Sequence, residues 1–402
     1  MRDYENISLV TKDEAHEFFK GQEEKDKWVR VFTNEIDAIP LEQASVQMYR
    51  GGVMPLVGRK GAYSLDKIPS YVEDNDLETS MENSKLMAAI PVDNKIEVIP
   101  LRYTAFPLIQ ARAGITGSSV NNLKDRAQHK EMRASDRAQC INYGLDLFTD
   151  KTLVLIRDNK ITAMMSGDEN DYAVLPIYRL MKALENELAD NYAGYEYVEG
   201  VTSHEISSIT YSLNDSALES RIEGMLSANG ISVNPGSIKV AVKLTSSDVG
   251  LCEARITPII KKDGVTLPIG QCRDLRHSNG ASIAKFCDLA HEVLLGFKDS
   301  IEDIQRLMNI SVNYPSNCFK NVLNKLNLKG YASFIPDMME RIEDEHALKC
   351  SAYDIYWYLN ELLYLKDSQT IRDGKEDAFR SIKAQEEVAK VLKIDFSDYD
   401  HA

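Results

Sequence analysis

The sequence predicts an α+β protein, with a mixed or antiparallel sheet and flanking helices followed by a helical C-terminal region. Two strand-like runs, in "TLVLIRDNKITAMMSG", are joined by Asp158 and Asn159, a residue pair typical of a tight β-hairpin. From Ala281 to Leu392 the chain has helical character, with breaks near "NYPSNC", "NLKGY" and "KDSQTIRDG". Hairpin strands that precede a run of helices are typical of the α+β class.

The remaining elements follow from local signals. We expect a strand in "KIEVIPL" and an amphipathic helix in "YTAFPLIQARAG" that ends at Gly114. The loop "GITGSS" places Ser118 or Ser119 to cap a helix that we expect to reach about Phe148. Pro176 lies near the first turn of a helix in "LPIYRLMKALENEL". Three further strands are expected in "EISSITYSL", "KVAVKLTSS" and "LCEARITPII", with a helix in "SALESRIEGML".

A chain of 402 residues is longer than one compact core usually holds, so we divide it into three parts. Residues 1–90 are expected to form an N-terminal arm of mixed structure, because glycine-rich breaks such as "RGGVMPLVGRKG" interrupt its patterns. Residues 91–280 form the predicted α+β domain, and residues 281–402 the helical C-terminal region.

Composition narrows the class of protein. The net charge of -15 argues against a protein that coats nucleic acid over most of its surface, but it leaves room for a local basic groove. Six cysteines without a CxxC pair indicate reduced thiols rather than a disulfide framework. There is neither a long apolar run nor a secretory signal at the start, so we expect a cytoplasmic protein without a membrane partner.

The helix expected after "GITGSS" is the main candidate for ligand binding. Cationic side chains recur there at spacings of four, three and four, which would place them on one helical face: Arg126, Lys130, Arg133 and Arg137. Such a stripe can follow a phosphate backbone, and the preceding loop offers N–H groups to an anion. The same expected helix also carries three acidic residues, Asp125, Glu131 and Asp136, which can neutralise the cationic side chains. The alternative interpretation is therefore a helix face exposed to solvent, without a ligand.

Two groups of residues raise the question of a metal. Cys272, His277, Cys287 and His291 fall within 20 residues of one another, but Cys-x4-His-x9-Cys-x3-His is not a usual zinc spacing. Buried cysteines and a histidine at a strand-to-helix junction explain them better. We therefore expect neither a metal nor a cofactor.

The acidic loop "SGDENDY" carries Asp168, Glu169 and Asp171 after a strand, as the sites of many divalent-metal nucleases do. The further carboxylates and the basic residue that such a site needs cannot be assigned by spacing, which favours an exposed acidic loop. No serine or cysteine has an assignable histidine partner, so enzymatic activity is unsupported.

The late segment "SAYDIYWYLNELLYL" is rich in aromatic residues, which on a helix can stack on bases. Tyr353, Trp357 and Tyr364 share one face with the leucines, and this pattern favours core packing instead.

Three stretches, in a fixed order, resemble the motifs of a known family. In residues 151–184, Ala163, Ser166 and Tyr172 match its hairpin motif. In residues 244–260, Ser247, Val249 and Gly250 match its Ser-x-Val-Gly strand pair, with Asp248 in place of the commoner glutamate. Residues 271–280, "QCRDLRHSNG", resemble its Cys…Arg-His segment.

On these motifs, residues of roughly 95–365 resemble the DUF932, or phage/plasmid-like, proteins. The resemblance implies an intracellular protein of a mobile element such as a bacteriophage, concerned with nucleic acid or with host defence. It implies no particular reaction.

Our leading hypothesis is a phage-type protein without a catalytic site that binds nucleic acid and supports replication or recombination. The alternative is a protein-binding component, either an inhibitor of a host defence system or a structural protein of the virion. The net charge and the long helical region favour the alternative. Partners compatible with these hypotheses are DNA or RNA, a host or phage protein, and further copies of the chain.

Overall fold

The computed structural model describes residues 6–42, 44–115, 124–125, 130–168, 170–231, 233–269, 273–278, 280–346, 348–373 and 377–402. Its antiparallel sheets and its helices confirm the predicted α+β class. No helix in this part of the chain combines the length and the apolar character that crossing a bilayer requires.

The strands, in chain order, are β1 (Ile7–Leu9), β2 (Lys27–Phe32), β3 (Asp37–Pro40), β4 (Leu56–Val57), β5 (Ala62–Tyr63), β6 (Leu86–Val92), β7 (Lys95–Pro100), β8 (Lys124–Asp125), β9 (Lys130–Glu131), β10 (Lys151–Arg157), β11 (Lys160–Ser166), β12 (Tyr195–Thr202), β13 (Ser207–Leu213), β14 (Ile238–Ser246), β15 (Ala254–Lys262), β16 (Val265–Pro268), β17 (Arg273–Leu275), β18 (Ser311–Val312) and β19 (Cys350–Ser351).

The α-helices are α1 (Lys12–Lys25), α2 (Val46–Arg50), α3 (Asp74–Glu82), α4 (Ala105–Arg112), α5 (Ala134–Leu145), α6 (Ile177–Asn191), α7 (Ser216–Ala228), α8 (Ile283–Leu295), α9 (Phe297–Met308), α10 (Pro315–Lys325), α11 (Ile335–Glu345), α12 (Ala352–Arg372) and α13 (Ala378–Ala389).

The largest sheet has the strand order β1-β12-β13-β14-β15-β16, with β17 on β15, and its neighbours are antiparallel. Side chains alternate between its two faces. On β14, Val240, Val242 and Leu244 belong to the main apolar core, which also takes in residues of the C-terminal helices. Lys239 and Lys243 of the same strand lie on the opposite face, which is polar.

A second sheet, in the order β11-β10-β2, is covered on both faces. Val154 and Ile156 of β10 pack into an apolar cluster that includes residues of α4 and α5. Leu153 and Leu155 on the other face pack with Tyr172 and Val249. This double burial explains the nearly continuous apolar run "TLVLI".

The first ninety residues are distributed among several sheets. β1 pairs with β12 at the edge of the largest sheet, and β2 pairs with β10. β3 pairs with β6, which in turn pairs with β7 in a three-stranded sheet. Asn142 of α5 attaches to this sheet, because its side chain exchanges two hydrogen bonds, of 2.6 and 2.8 Å, with the backbone of Ala38.

The hairpin predicted at Asp158-Asn159 is confirmed, since both residues have positive φ angles of 46° and 63°. The single helix expected from Ser118 or Ser119 to about Phe148 is wrong. Residues 124–125 pair with residues 130–131 as antiparallel strands, and the helix begins only at Ala134. The backbone of Arg133, just before it, is extended.

Candidate functional site

The predicted cationic stripe does not lie on one helix. Arg126 is outside the described residues, and Lys130 belongs to β9. Arg133 precedes α5, is exposed, and forms an ion pair of 3.0 Å with Asp136. The guanidinium of Arg137, one helical turn later, lies 5.3 Å from the centre of the Phe106 ring. Two of the four predicted residues therefore remain together, at the start of α5.

An exposed aromatic residue also lies on α5, six positions after Arg137 and therefore about 120° around the helix from it. Tyr143 of α5 is 65% exposed, and the guanidinium of Arg59 lies 4.2 Å from the centre of its ring. Arg59 also forms an ion pair of 2.8 Å with Asp146. We call the set of Arg59, Arg133, Arg137 and Tyr143 the α5 surface. It combines guanidinium groups with an accessible aromatic ring, which are the two elements of many single-strand binding surfaces.

The three motif stretches meet at a second place. The ring of Tyr172, from the first stretch, stacks on His277, from the third, with 5.4 Å between ring centres. The Tyr172 hydroxyl donates to the backbone oxygen of Asp248, in the second stretch, at 3.1 Å. Ala163 and Val249 share an apolar cluster with Tyr172. We call the group Tyr172, Ser247, Asp248 and His277 the motif junction.

Ser247 organises the turn between β14 and β15. Its hydroxyl donates to the backbone oxygen of Glu205 at 2.6 Å and accepts from the amides of Val249 and Leu251. Gly250 has a φ angle of +73°, and a Cβ there would lie 2.9 Å from the Met165 Cε. The positive φ angle is the reason that the turn favours glycine, because the Met165 methyl is the end of a flexible side chain and can move away from a Cβ.

Arg157 joins the turn to the rest of the protein. Its side chain is 6% exposed and donates to both carboxylate oxygens of Asp26, at 2.8 and 2.5 Å. It also donates to Asp248 at 2.7 Å. The carboxylates come from the end of α1 and from the β14–β15 turn, while Arg157 ends β10. We call this group the Arg157 clamp. The single guanidinium gives both carboxylates a counter-charge, without which each would be costly to bury.

Three ionisable side chains near the clamp, His204, His277 and Tyr172, are held in their neutral forms. Burial lowers the pKa of His277 and raises the pKa of Tyr172. The pKa of His204 is lowered to about 2, first by burial and then by the charges of Arg102, Arg157 and Lys160. His277 Nδ1 lies 3.2 Å from the Ala173 oxygen, so it donates there, and Nε2 faces the Ser246 hydroxyl at 3.5 Å. Neither His277 nor Tyr172 is placed as a general base beside a nucleophile, because both are occupied by these contacts.

Of the four residues considered for zinc, the structure describes His277, Cys287 and His291, and Cys287 packs against the main apolar core. Cys272 is outside the described residues, His277 belongs to the motif junction, and His291 lies 3.4 Å from Glu187. In the described ranges no group of three or more His, Cys, Asp or Glu side chains is placed to hold a metal ion.

Two carboxylates of the acidic loop accept hydrogen bonds from neighbouring residues. Asp168 accepts from the amide of Asn170 at 2.9 Å, and Asp171 accepts from Ser166 at 2.7 Å. Glu169 lies outside the described residues.

The aromatic segment is largely core. Tyr353, Tyr356 and Tyr358 are buried, Trp357 is half-buried, and only Tyr364 is exposed among the five aromatic residues of α12. Core packing, which was expected for Tyr353, Trp357 and Tyr364, is confirmed for Tyr353, holds in part for Trp357 and is wrong for Tyr364. Tyr364 instead lines a cleft that sequence reasoning missed.

This cleft has a volume of about 300 Å³ and lies between the polar face of the largest sheet and helices α12 and α13. Lys243, Lys261 and Asp367 are among its lining residues. The polar residues that alternate along "ISSITYSL" and "KVAVKL" are the sequence signal for its floor, but alternation alone also fits a face exposed to water.

No protein-family model matches the chain, and no curated protein or solved structure is significantly similar to it. The resemblance to DUF932 proteins therefore rests on the sequence motifs alone.

We predict that Arg157→Met lowers the free energy of unfolding by about 3–5 kcal/mol, because it leaves two buried carboxylates without a counter-charge. Chemical denaturation measures the effect. The matched control is Arg179→Met, which removes an exposed pair with Glu23 and should cost less than about 1 kcal/mol. Adding Asp26→Asn and Asp248→Asn to Arg157→Met should recover part of the loss. Equal effects of the two arginine substitutions would contradict the clamp.

A second prediction concerns pH. The folded protein keeps His204 neutral, whereas the unfolded chain takes up a proton below its ordinary pKa of 6.5, so unfolding becomes easier as the pH falls. Between pH 6.5 and roughly pH 5 this residue should remove about 2 kcal/mol of stability. Denaturation at both pH values should show a smaller loss in His204→Gln and an unchanged loss in His401→Gln, which alters an exposed residue. If His204→Gln lost as much stability between the two pH values as the wild-type protein, the assignment would be refuted.

Proposed function

We propose that this protein binds single-stranded nucleic acid without catalysing a reaction, and that the α5 surface is where the strand binds. The observation that carries the proposal is the combination of Arg133, Arg137 and the exposed Tyr143 ring on one helix and its N-terminus. Phosphates would bind the guanidinium groups, and a base would stack on the tyrosine.

The arginines are available for such a ligand. Arg137 makes no ion pair with the described residues, and its guanidinium is oriented by the Phe106 ring. The pair between Arg133 and Asp136 is exposed and contributes at most about 1 kcal/mol, so a phosphate can compete for Arg133. Arginine also suits this role because its planar group both stacks and donates in pairs.

The net charge of -15 favours a local contact over a wrapped strand, since most of the surface would repel phosphates. We therefore expect affinity to decrease with salt through only a few ion contacts. The resemblance to DUF932 proteins supports a role in replication or recombination of a mobile element, and this role is part of the proposal.

We predict that fluorescence anisotropy with a labelled oligothymidylate detects binding by the wild-type protein. Arg133→Ala with Arg137→Ala should weaken it and reduce the salt slope by about 1.4, at about 0.7 for each phosphate contact. Tyr143→Ala should cost about 1–3 kcal/mol of stacking and leave the slope unchanged.

The matched control is Arg380→Ala with Lys390→Ala, which removes two exposed cations from the α13 region. It should bind the oligonucleotide as the wild-type protein does. Absence of binding by the wild type, or equal losses in both double variants, would refute the proposal. The protein-binding alternative would then be favoured.

A further inference from the structure

The polar face of the largest sheet forms the floor of a cleft that two helices border. Thr210 of β13 and Lys243 of β14 are cross-strand partners on this face, and Lys261 of β15 lies nearby. Helices α12 and α13 form the walls, with Asn360, Asp367 and Ser381 among the lining residues. A sheet face that helices cover is normally apolar, so this cover over hydroxyl and ammonium groups requires an explanation.

On the floor, Lys261 pairs with Glu199 at 2.6 Å, which leaves Lys243 there and Asp367 on the wall as charges that have no ion pair with the described residues. Lys243 is half-buried, its Nζ donates to Gln385 Oε1 at 2.6 Å, and burial lowers its pKa. Asp367 on the wall accepts from the Ser381 hydroxyl at 2.6 Å, and burial raises its pKa. Each feels the charge of the other, but no ion pair joins them. Lys243 and Asp367 therefore face the same cleft without direct contact between their charged groups.

Asn360 gives an independent indication of a missing partner. Its side chain is 2% exposed, and its Nδ2 donates to the backbone oxygen of Tyr356 at 2.8 Å. Its Oδ1 has no hydrogen-bond donor among the described residues. A buried carbonyl without a donor costs about 1–3 kcal/mol, so a ligand N–H in the cleft would be favourable there.

We propose that this cleft binds a free α-amino acid, with the ligand carboxylate at Lys243 and the ligand ammonium group at Asp367 and Asn360. A zwitterion supplies both charges that the divided cleft lacks. A simple anion would leave Asp367 without a cation in direct contact. A simple amine would leave Lys243, which feels the charges of Glu199 and Asp367 but has no ion pair to either, without an anion in direct contact. The volume of about 300 Å³ is at the small end of ligand pockets, which suits a molecule of this size.

The experiment measures the melting temperature of the full chain with each proteinogenic L-amino acid in turn, followed by calorimetry on those that raise it. At least one should raise the melting temperature, because a ligand that binds only the folded state stabilises it. The N-acetyl derivative and the methyl ester of that amino acid should not, since each lacks one of the two charges. The proposal would be overturned if no amino acid raised the melting temperature. It would also be overturned if both derivatives raised it as much as the free amino acid does.

Variants locate the site. Lys243→Met and Asp367→Asn should each weaken binding about tenfold or more, since each removes one charged hydrogen bond to the ligand. The controls are Lys239→Met, on the same strand, and Asp373→Asn, at the end of α12, neither of which lines the cleft. Unchanged affinity in the cleft variants would overturn the assignment. None of these residues belongs to the α5 surface, so this test and the oligonucleotide test give independent answers.

Discussion

The Arg157 clamp is the interaction on which the rest of the structure depends. One buried guanidinium binds two carboxylates, and the three residues come from α1, β10 and the β14–β15 turn. A buried pair of this kind tolerates little change in geometry, because a displaced charge loses its partner where water cannot replace it. The clamp therefore fixes the second sheet against the largest one. It also fixes the motif junction, since Tyr172 binds the backbone of the clamped Asp248.

Features determined by neighbouring residues could be predicted from the sequence. The Asp158-Asn159 hairpin and the turn at Gly250 are local, because each depends on residues that adopt positive φ angles. The prediction of a single helix was wrong for a related reason, and it covered Arg126, Lys130, Arg133 and Arg137. A spacing of charged residues fits a helix, but it fits a hairpin followed by a helix equally well when no apolar period accompanies it.

The candidate sites depend on contacts between distant segments, which composition and spacing do not reveal. Asp26 and Arg157 are 131 positions apart, so nothing local indicates that they meet. The same holds for the cleft, where Lys243 on the sheet meets Gln385 on a helix 142 positions later. The alternation of polar and apolar residues along β13 and β14 indicates a polar sheet face. Only the packing of α12 and α13 shows that this face is the floor of a cleft and not a surface exposed to water.

Native-state hydrogen exchange, read by mass spectrometry, tests most directly whether the clamp joins the two sheets into one unit. We expect the amides of β10 and β14 to exchange with the same free energy of opening, because the sheets can separate only when the clamp breaks. A β10 that opens at a much lower free energy than β14 would contradict it, since the second sheet would then unfold while Asp248 stayed in place.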